Sequence, residues 1–310
     1  MVRENTSSFG KIKRILCPHC SHLCYYKADE CVNCGEPLDS IKEHIKRGKE
    51  TDIGIPTENF NERHYLGLIE EHIGKQVPKR ETINNKEVGY KAMEEEIIGI
   101  SLPYCRLKAL PPLITDLSSL RVLFLSQNFF KDLPQQLIHT RSLELLRLDH
   151  NRIGRLSRGI RELSSLKVLN LNSNELTGLP REIESLSNLE RLSLKRNKLE
   201  TLPRIIGFLS NIQELNLRIN KLKKIPATIG NLKTLKKLNL SSNDIEALPE
   251  SMGNLNSLEY LNLKHNKLTK LPDTFDNLSS LRYLNIKGNF WINLPDSINS
   301  LEEGGLKIMR

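Results

Sequence analysis

The sequence predicts an α/β solenoid in which a parallel β-sheet lines a concave face and short helical turns cover the convex face. A small metal-binding module is predicted to precede it. Two observations lead to this fold class. Four cysteines near the start form two CxxC pairs separated by ten residues, which is typical of a metal site. Farther on, an Asn recurs every 23 residues without an insertion, which indicates a stack of repeats, at Asn128, Asn151, Asn174, Asn197, Asn220, Asn243, Asn266 and Asn289.

Each repeat follows the pattern LxxLxLxxNxLxxLPxxIxxLxx, which is clearest over 258–280. The leucines of "LNL" alternate with period two and predict a short strand, whereas the spacing of three and four in "LPxxIxxL" predicts a helical turn with one apolar face. The Asn between them can bond its side-chain amide to the backbone of the turn. A lone repeat cannot cover its own leucines, so we expect neighbours to stack. An earlier copy at 97–119 has Cys105 in place of Asn and brings the number of copies to nine.

This pattern resembles the leucine-rich repeat family, specifically the intracellular class with 23-residue Leu-Pro repeats. That class includes proteins similar to small-GTPase scaffolds and to plant Ras-group repeat proteins. The resemblance covers roughly residues 97–303 and implies a leucine-rich-repeat solenoid that binds another protein, with a small GTPase or another signalling protein as the expected partner. Four departures from the pattern are interpreted as local packing variants: Cys105, Phe130, Ser157 and Trp291.

Both ends of such a solenoid expose apolar core and need a cap. Upstream, a helical apolar stripe (Tyr65, Leu66, Ile69 and Ile73) is followed by a predicted β-hairpin that leads into the first repeat. Downstream, the last residues offer little apolar cover, so we expect that end to be poorly capped. The predicted organisation is a flexible N-terminus at 1–15, a zinc ribbon at 16–39, a linker at 40–61, an N-terminal cap at 62–96, nine repeats at 97–303 and a C-terminal tail at 304–310.

The paired cysteines predict one structural Zn(II) ion. Four thiolates at the spacing Cys-x2-Cys-x10-Cys-x2-Cys can close a tetrahedral zinc site and leave no open position for water or substrate. The stretch resembles a short zinc ribbon of the "CPxCG…CxxCGxPL" kind, although Ser21 stands where the first knuckle usually has Gly. A mixed set that includes His19, His22 or Cys24 is the open alternative. The predicted ligands are Cys17, Cys20, Cys31 and Cys34.

The chain has 310 residues and a formal net charge of +9, from 46 Lys and Arg against 37 Asp and Glu. Residues 1–96 carry 15 basic and 17 acidic side chains, a net of −2, so residues 97–310 carry 31 and 20, a net of +11. The repeats are therefore expected to favour acidic partners. No apolar run reaches the roughly 20 residues of a membrane span, and the first residues lack the apolar core of a signal peptide. We expect a cytoplasmic protein.

No catalytic motif was identified. The sequence has no Gly-rich phosphate loop, HExxH motif or nucleophile elbow. Cys105 occupies a repeat-turn position without a neighbouring His and Asp, and His139, His150 and His265 are isolated in sequence. The chain is therefore expected not to be an enzyme.

Strand residues that alternate with the core leucines should point onto the concave face. The early repeats place there an apolar patch of Val122, Phe124, Leu145 and Val168. Later repeats place there a basic row of Arg191, Lys195, Arg218, Lys237, Lys264 and Lys287. Exposed apolar groups beside basic ones suit a protein interface, so we expect a protein partner with an acidic surface on this face. The candidate contact residues are Val122, Phe124, Leu145, Arg147, Val168, Arg191, Lys195, Arg218, Lys237, Tyr260, Lys264, Tyr283 and Lys287.

The alternative is a nucleic-acid-associated factor in which ribbon and basic face both engage phosphates, a reading that the acidic N-terminal part disfavours. A row of Asn on the same face could belong to a contact surface or be a solvated consensus position, at residues 170, 216, 239, 262 and 285.

Overall fold

A computed structural model describes the backbone at 14–16 and 23–25, and the chain at 62–94, 96–111, 114, 117–290, 294 and 298–310. The chain divides into two compact units, Met1–Phe60 and Asn61–Arg310. In the first unit, β1 (Arg14–Leu16) pairs antiparallel with β2 (Leu23–Tyr25), with Ile15 opposite Cys24. The predicted zinc ligands Cys17, Cys20, Cys31 and Cys34 lie outside the described residues, and so does the predicted linker at 40–61.

In the second unit, the described residues form a sheet of eleven strands whose spatial order follows the order in sequence. β3 (Gly89–Met93) is antiparallel to β4, and every later neighbour is parallel. The other strands are β4 (Glu96–Ser101), β5 (Val122–Phe124), β6 (Leu145–Arg147), β7 (Val168–Asn170), β8 (Arg191–Ser193), β9 (Glu214–Asn216), β10 (Lys237–Asn239), β11 (Tyr260–Asn262), β12 (Tyr283–Asn285) and β13 (Lys307–Met309).

The helical turns of the repeats are five-residue 3-10 helices. Most follow a proline, whose fixed φ suits the entry into a helix, and each buries one central apolar side chain, such as Ile183 or Ile206, against the strand leucines. A parallel sheet covered by helical turns on one side is the architecture expected of a leucine-rich-repeat solenoid. The described 3-10 helices are Gln135–His139, Arg158–Glu162, Arg181–Ser185, Arg204–Phe208, Ala227–Asn231, Glu250–Asn254 and Asp273–Asn277.

The recurring Asn joins consecutive repeats. Asn197 is 8% exposed; its Oδ1 accepts from the N–H of Leu176, and its Nδ2 donates to the carbonyl oxygens of Leu171 (2.9 Å) and Leu194 (3.0 Å). Turn backbone that would otherwise be buried without a partner is thereby satisfied. The preceding residue adopts a left-handed conformation, with φ from 53° to 73°, at Gln127, His150, Ser173, Arg196, Ile219, Ser242, His265 and Gly288.

The departures from the repeat pattern are accommodated by packing. Phe130 is 1% exposed and sits in the core. Ser157 uses an N–H that proline lacks to donate to Asp132 Oδ1 at 3.1 Å. Cys105 is buried, and its N–H donates to Asn128 Oδ1 at 3.1 Å. Trp291 lies outside the described residues.

The N-terminal end of the solenoid carries α1 (Glu62–Ile73) and the β3–β4 hairpin. Leu66 and Ile69 of α1 are 6% and 0% exposed, so the apolar face of the helix covers the first repeat. The connection from α1 to β3 reaches the face of the sheet opposite the 3-10 helices: the Ser101 hydroxyl shares its one hydrogen between the carbonyl oxygens of Asn84 and Glu87, which lie 2.5 and 2.8 Å from Oγ.

The expectation of a poorly capped C-terminal end is wrong. After α2 (Ile298–Glu303), β13 adds to the sheet in parallel beside β12. Ile298 and Leu306 are 1% and 5% exposed, so both enter the core. A single added strand extends the ladder, which is why Leu306 and Ile308 suffice where the sequence alone suggested too little cover, while Met309 stays 47% exposed.

Candidate interaction face on the parallel sheet

The candidate face is the side of the sheet opposite the 3-10 helices, and we call it the concave face. Adjacent strands pair in register, so equivalent residues of successive repeats form ladders about 4.8 Å apart. The first ladder runs Val122, Leu145, Val168, Arg191, Glu214, Lys237, Tyr260, Tyr283 and Lys307. A second ladder two residues on runs Phe124, Arg147, Asn170, Ser193, Asn216, Asn239, Asn262 and Asn285.

The apolar patch is less open than its pattern predicts. Val122, Leu145 and Val168 are half-buried and lie side by side. Phe124 is only 7% exposed, so the prediction that its ring is presented to a partner is wrong. The guanidinium of Arg147 lies over the ring, 5.6 Å from its centroid. Such a contact stabilises an Arg against an aromatic face.

The cover continues toward the N-terminal end. A Cβ at Gly99 would meet the side chain of Ile83 at 2.5 Å, so Ile83 occupies the place of a side chain above β4. The connection that carries Ile83 is held by the hydroxyl of Ser101. The apolar ladder is thereby closed at one end by the chain itself and begins, for a partner, at Val122.

The basic row is accessible. Arg191, Arg218, Lys237 and Lys287 are exposed, and Lys195 and Lys264 are half-buried. Among the described residues, Lys237 alone of this row has a carboxylate within ion-pair distance, with its Nζ 2.8 Å from Glu214 Oε1. The hydrogen bond to Glu214 raises the pKa of Lys237 above its ordinary value.

The Asn row of the concave face has a structural role in the turn. Asn216, Asn239, Asn262 and Asn285 each accept, through Oδ1, the backbone N–H two residues on, at 3.0–3.1 Å. Asn170 does the same for Asn172 at 3.0 Å. These bonds hold the backbone where each strand ends. Each of these oxygen atoms therefore has a partner within its own turn, and Asn239 Oδ1 also accepts from the Ser241 hydroxyl at 2.7 Å.

Two tyrosines stand at the C-terminal end of the first ladder. The rings of Tyr260 and Tyr283 stack with centroids 4.8 Å apart and planes 3° from parallel. Lys307 follows them in register on β13. This lysine was missed by sequence reasoning because it lies after the last repeat, where the 23-residue pattern no longer assigns a face.

The described residues show no arrangement suited to catalysis. Burial raises the pKa of the Cys105 thiol, which is 3.3 Å from the carbonyl oxygen of Pro103, so the thiol is held protonated. His150 and His265 are exposed at equivalent turn positions five repeats apart. In the part of the chain that the structure describes, no group of three or more His, Cys, Asp or Glu could hold a metal ion. Nor does that part contain a helix long and apolar enough to cross a membrane.

Two family models match the repeats. Residues 157–243 match the leucine-rich repeat region model and residues 233–289 match a leucine-rich repeat model. No curated protein matches the sequence. Together with the in-register sheet and the 3-10 turns, these matches show that the chain contains leucine-rich repeats in a solenoid.

Several solved structures are similar. A leucine-rich repeat protein of Leptospira interrogans matches with TM-score 0.59 and 29% identity over 67% of this chain and 64% of its own. The plant peptide hormone receptor RGFR1, in complex with RGF2, matches with TM-score 0.57 and 28% identity over 65% of this chain and 33% of its own.

The ectodomain of the Arabidopsis thaliana receptor kinase GASSHO1/SCHENGEN3, in complex with CASPARIAN STRIP INTEGRITY FACTOR 2, also matches. Its TM-score is 0.57 and its sequence identity 28%, over 64% of this chain and 25% of its own. This chain therefore spans less than two thirds of the length of each of these proteins.

Proposed function

We propose that the chain is a non-enzymatic scaffold or adaptor that binds the acidic surface of a protein partner on its concave face. The observation that carries the proposal is the basic row, whose described cations other than Lys237 have no carboxylate within ion-pair distance. Half-buried apolar side chains lie on the same sheet face. Charges of one sign steer an oppositely charged protein, and the apolar neighbours supply contact area.

The comparisons support a binding role. Leucine-rich repeats commonly mediate protein–protein interaction, and two of the similar structures are complexes of receptor repeats with RGF2 and with CASPARIAN STRIP INTEGRITY FACTOR 2. The resemblance of the 23-residue Leu-Pro repeats to small-GTPase scaffolds supports a signalling protein, such as a small GTPase, as the partner class.

Capture of proteins from a lysate of the source organism tests this, with the bound proteins identified by mass spectrometry. The double variant Arg218→Glu with Lys264→Glu reverses two charges on the concave face. Lys223→Glu with Lys270→Glu changes the net charge equally at two exposed positions on the loops after the repeat Asn. We expect the first variant to lose a protein that the wild type and the second variant both retain. Equal capture by both variants would place the contact elsewhere.

The basic row also favours a second candidate, a nucleic-acid-associated factor. Binding carried by phosphates weakens log-linearly with salt and is independent of sequence. We expect labelled single-stranded oligonucleotides to show no such binding at about 50 mM salt. Binding with a steep salt slope that is lost in Arg218→Glu with Lys264→Glu would favour this second candidate instead.

For the N-terminal unit we propose one structural Zn(II) ion held by Cys17, Cys20, Cys31 and Cys34. The antiparallel pairing of β1 and β2 supports it, because Cys17 and Cys20 fall in sequence between the two strands, where a hairpin knuckle would present both thiols. A closed thiolate site supplies folding energy rather than catalysis. Thiolates persist in a reducing compartment, so we also propose a cytoplasmic location.

Zinc content of the purified chain tests the metal site. We expect about one ion per chain, released by a thiol reagent and detected with a chromogenic chelator. Cys31→Ser should lower the content to near zero, whereas Cys105→Ser, at a buried repeat position, should leave it unchanged. A metal content that Cys31→Ser does not alter would contradict the proposed ligand set.

A further inference from the structure

Tyr260 and Tyr283 are oriented by an identical hydrogen-bond relay in two adjacent repeats. Asn262 Oδ1 accepts the N–H of Lys264 at 3.0 Å, and Asn262 Nδ2 lies 3.1 Å from the Tyr260 hydroxyl. In the next repeat, Asn285 Oδ1 accepts the N–H of Lys287 at 3.1 Å, and its Nδ2 lies 3.1 Å from the Tyr283 hydroxyl.

The direction of each bond follows from the chemistry of the amide. Because a backbone N–H can only donate, the Asn atom that faces it must be the oxygen, and the nitrogen must then face the tyrosine. An amide nitrogen only donates, so the phenol oxygen accepts. The hydroxyl hydrogen is left to donate to something else. No described residue accepts it from either tyrosine.

The relay is specific to these two repeats within the described part of the chain. Asn170, Asn216 and Asn239 make the same bond to the turn. The residue two positions before each of them is Val168, Glu214 or Lys237, none of which carries a phenol. The two oriented hydroxyl donors are therefore not part of the general repeat pattern. The rings of Tyr260 and Tyr283 stack with centroids 4.8 Å apart, so the two donors lie side by side.

The surrounding charge is positive. Lys237, whose charge is paired with Glu214, precedes Tyr260 in the ladder, and Lys307 follows Tyr283. Lys264 and Lys287 lie beside the relay, and neither has a described carboxylate within ion-pair distance. Two neutral O–H donors among cations favour an anion that only accepts hydrogen bonds, and O–H···O⁻ bonds are short and strong.

We propose that the two hydroxyls form a carboxylate-binding site, which takes a Glu or Asp side chain from an acidic segment of the partner. The two rings stack in parallel with centroids 4.8 Å apart, and each hydroxyl meets the equivalent Asn of its own repeat. The donors therefore lie about one strand spacing apart, so the two oxygens of one carboxylate can each accept one hydrogen bond of ordinary length. This inference rests on the proposed function, since it names the chemistry by which the concave face holds its partner.

The test uses the full chain and a fluorescent decapeptide of alternating Glu and Gly. The double variant Tyr260→Phe with Tyr283→Phe keeps the stacked rings and removes both donors. A hydrogen bond to a charged group is about twice as strong as one between neutral groups, so we expect the double variant to bind the peptide at least about tenfold more weakly. Tyr104→Phe removes an exposed hydroxyl outside the relay and should bind like the wild type.

Unchanged peptide binding in the double variant would overturn the proposal, because lysines alone would then hold the peptide. A decapeptide with Gln for Glu should not bind; if it binds as well as the Glu peptide, carboxylate recognition is also overturned. A phosphoserine peptide that loses more affinity than the Glu peptide in the double variant would overturn the assignment to carboxylate in favour of a phosphoryl group.

Two results distinguish failure of the tyrosine site from failure of the proposed function. If Arg218→Glu with Lys264→Glu abolishes capture of the protein partner while the phenylalanine variant retains both partner and peptide, only the tyrosine site fails. If the phenylalanine variant loses the Glu peptide but neither variant alters partner capture, the site stands and the proposed function fails. Should the double variant shift the urea midpoint, each single variant, with one donor left, must show an intermediate loss of peptide affinity.

Discussion

The two halves of the concave face differ in what covers them. In the early repeats the chain covers itself: Ile83 lies above Gly99, and Arg147 lies over Phe124. In the later repeats the side chains stand open, with Arg218 and Lys287 exposed and two tyrosines stacked beside them. The difference teaches that residues at equivalent repeat positions can be buried in one half and exposed in the other, as Ser126 and Arg218 are.

The halves also differ on the convex side. A Cβ at Gly207, Gly230 or Gly253 would lie 2.2–2.3 Å from a backbone carbonyl oxygen of the next repeat. Side-chain hydroxyls also form hydrogen bonds between neighbouring 3-10 helices there: Ser251 Oγ, for example, donates to the Ala227 carbonyl oxygen at 2.6 Å. In the earlier repeats the same position of the 3-10 helix holds Arg161 and Glu184 instead of Gly. A glycine thus lets neighbouring 3-10 helices approach closely in the later repeats, whereas the earlier repeats carry a side chain at that position.

The largest expected effect distinguishes covered from open positions on the concave face. Phe124→Asp should lower the free energy of unfolding by at least about 3 kcal/mol, because truncating a buried Phe alone costs about 3–5 kcal/mol. Val168→Asp, at a half-buried position of the same patch, should cost about 1 kcal/mol. Urea unfolding followed by circular dichroism measures both. Equal and small effects would mean that Phe124 is open to solvent as the sequence pattern predicts.

The second comparison is between the two kinds of Asn. Asn197→Ala removes three hydrogen bonds to buried backbone and should cost about 3 kcal/mol, since each buried group left unpaired costs about 1–3 kcal/mol. Asn216→Ala removes one bond, to the exposed Arg218, at 3.1 Å, and should cost less than about 1 kcal/mol. Comparable losses in urea midpoint for both variants would contradict the inter-repeat role of the buried ladder.

The third comparison is between two Gly→Ala variants, one at a close contact between 3-10 helices and one in open space. Gly230→Ala should destabilise the chain by about 2 kcal/mol, because the added methyl must displace the carbonyl of Ser251 and overpacking costs about 1–3 kcal/mol. Gly178→Ala has open space and no positive φ, so it should be neutral or slightly stabilising. Thermal unfolding resolves the two, and a neutral Gly230→Ala would show that the later repeats can separate without cost.

The smallest effect concerns the one described ion pair of the basic row. The raised pKa of Lys237 means that the pair with Glu214 stabilises the folded chain below the unfolded-state value of 10.5 and that this contribution is lost as pH rises through the folded-state value. Both side chains are largely exposed, 58% and 42%, so the contribution should stay below about 0.5 kcal/mol. Lys237→Gln should therefore be slightly less stable than wild type at pH 8, with the difference fading at strongly alkaline pH. A constant difference would point to another cause.

Much of the fold could be read from the sequence because the 23-residue repeat fixes the strand, the turn and the helical segment together. The exposure of each residue within a ladder could not be predicted from the sequence. It depends on which other segments cover the ladder, such as the segment that carries Ile83, which lies outside the repeats. The C-terminal cap was missed because β13 needs only a short apolar tail to extend a sheet. The left-handed position before each Asn was missed as well: apart from Gly288, it is occupied by residues such as Gln127 and Ile219, which do not signal a positive φ. The tyrosine relay needed the orientation of Asn262 and Asn285, which spacing alone does not give.

The central claim is that the solenoid, rather than the N-terminal unit, carries recognition. Capture from the source lysate with the full chain and with residues 62–310 compares the two most directly. The compact unit Asn61–Arg310 provides a natural boundary for the shorter chain. The account predicts that both chains retain the same partner, and that both lose it when Arg218 and Lys264 are changed to Glu. Loss of the partner from the 62–310 chain alone would contradict the account and place recognition in the cysteine-rich unit.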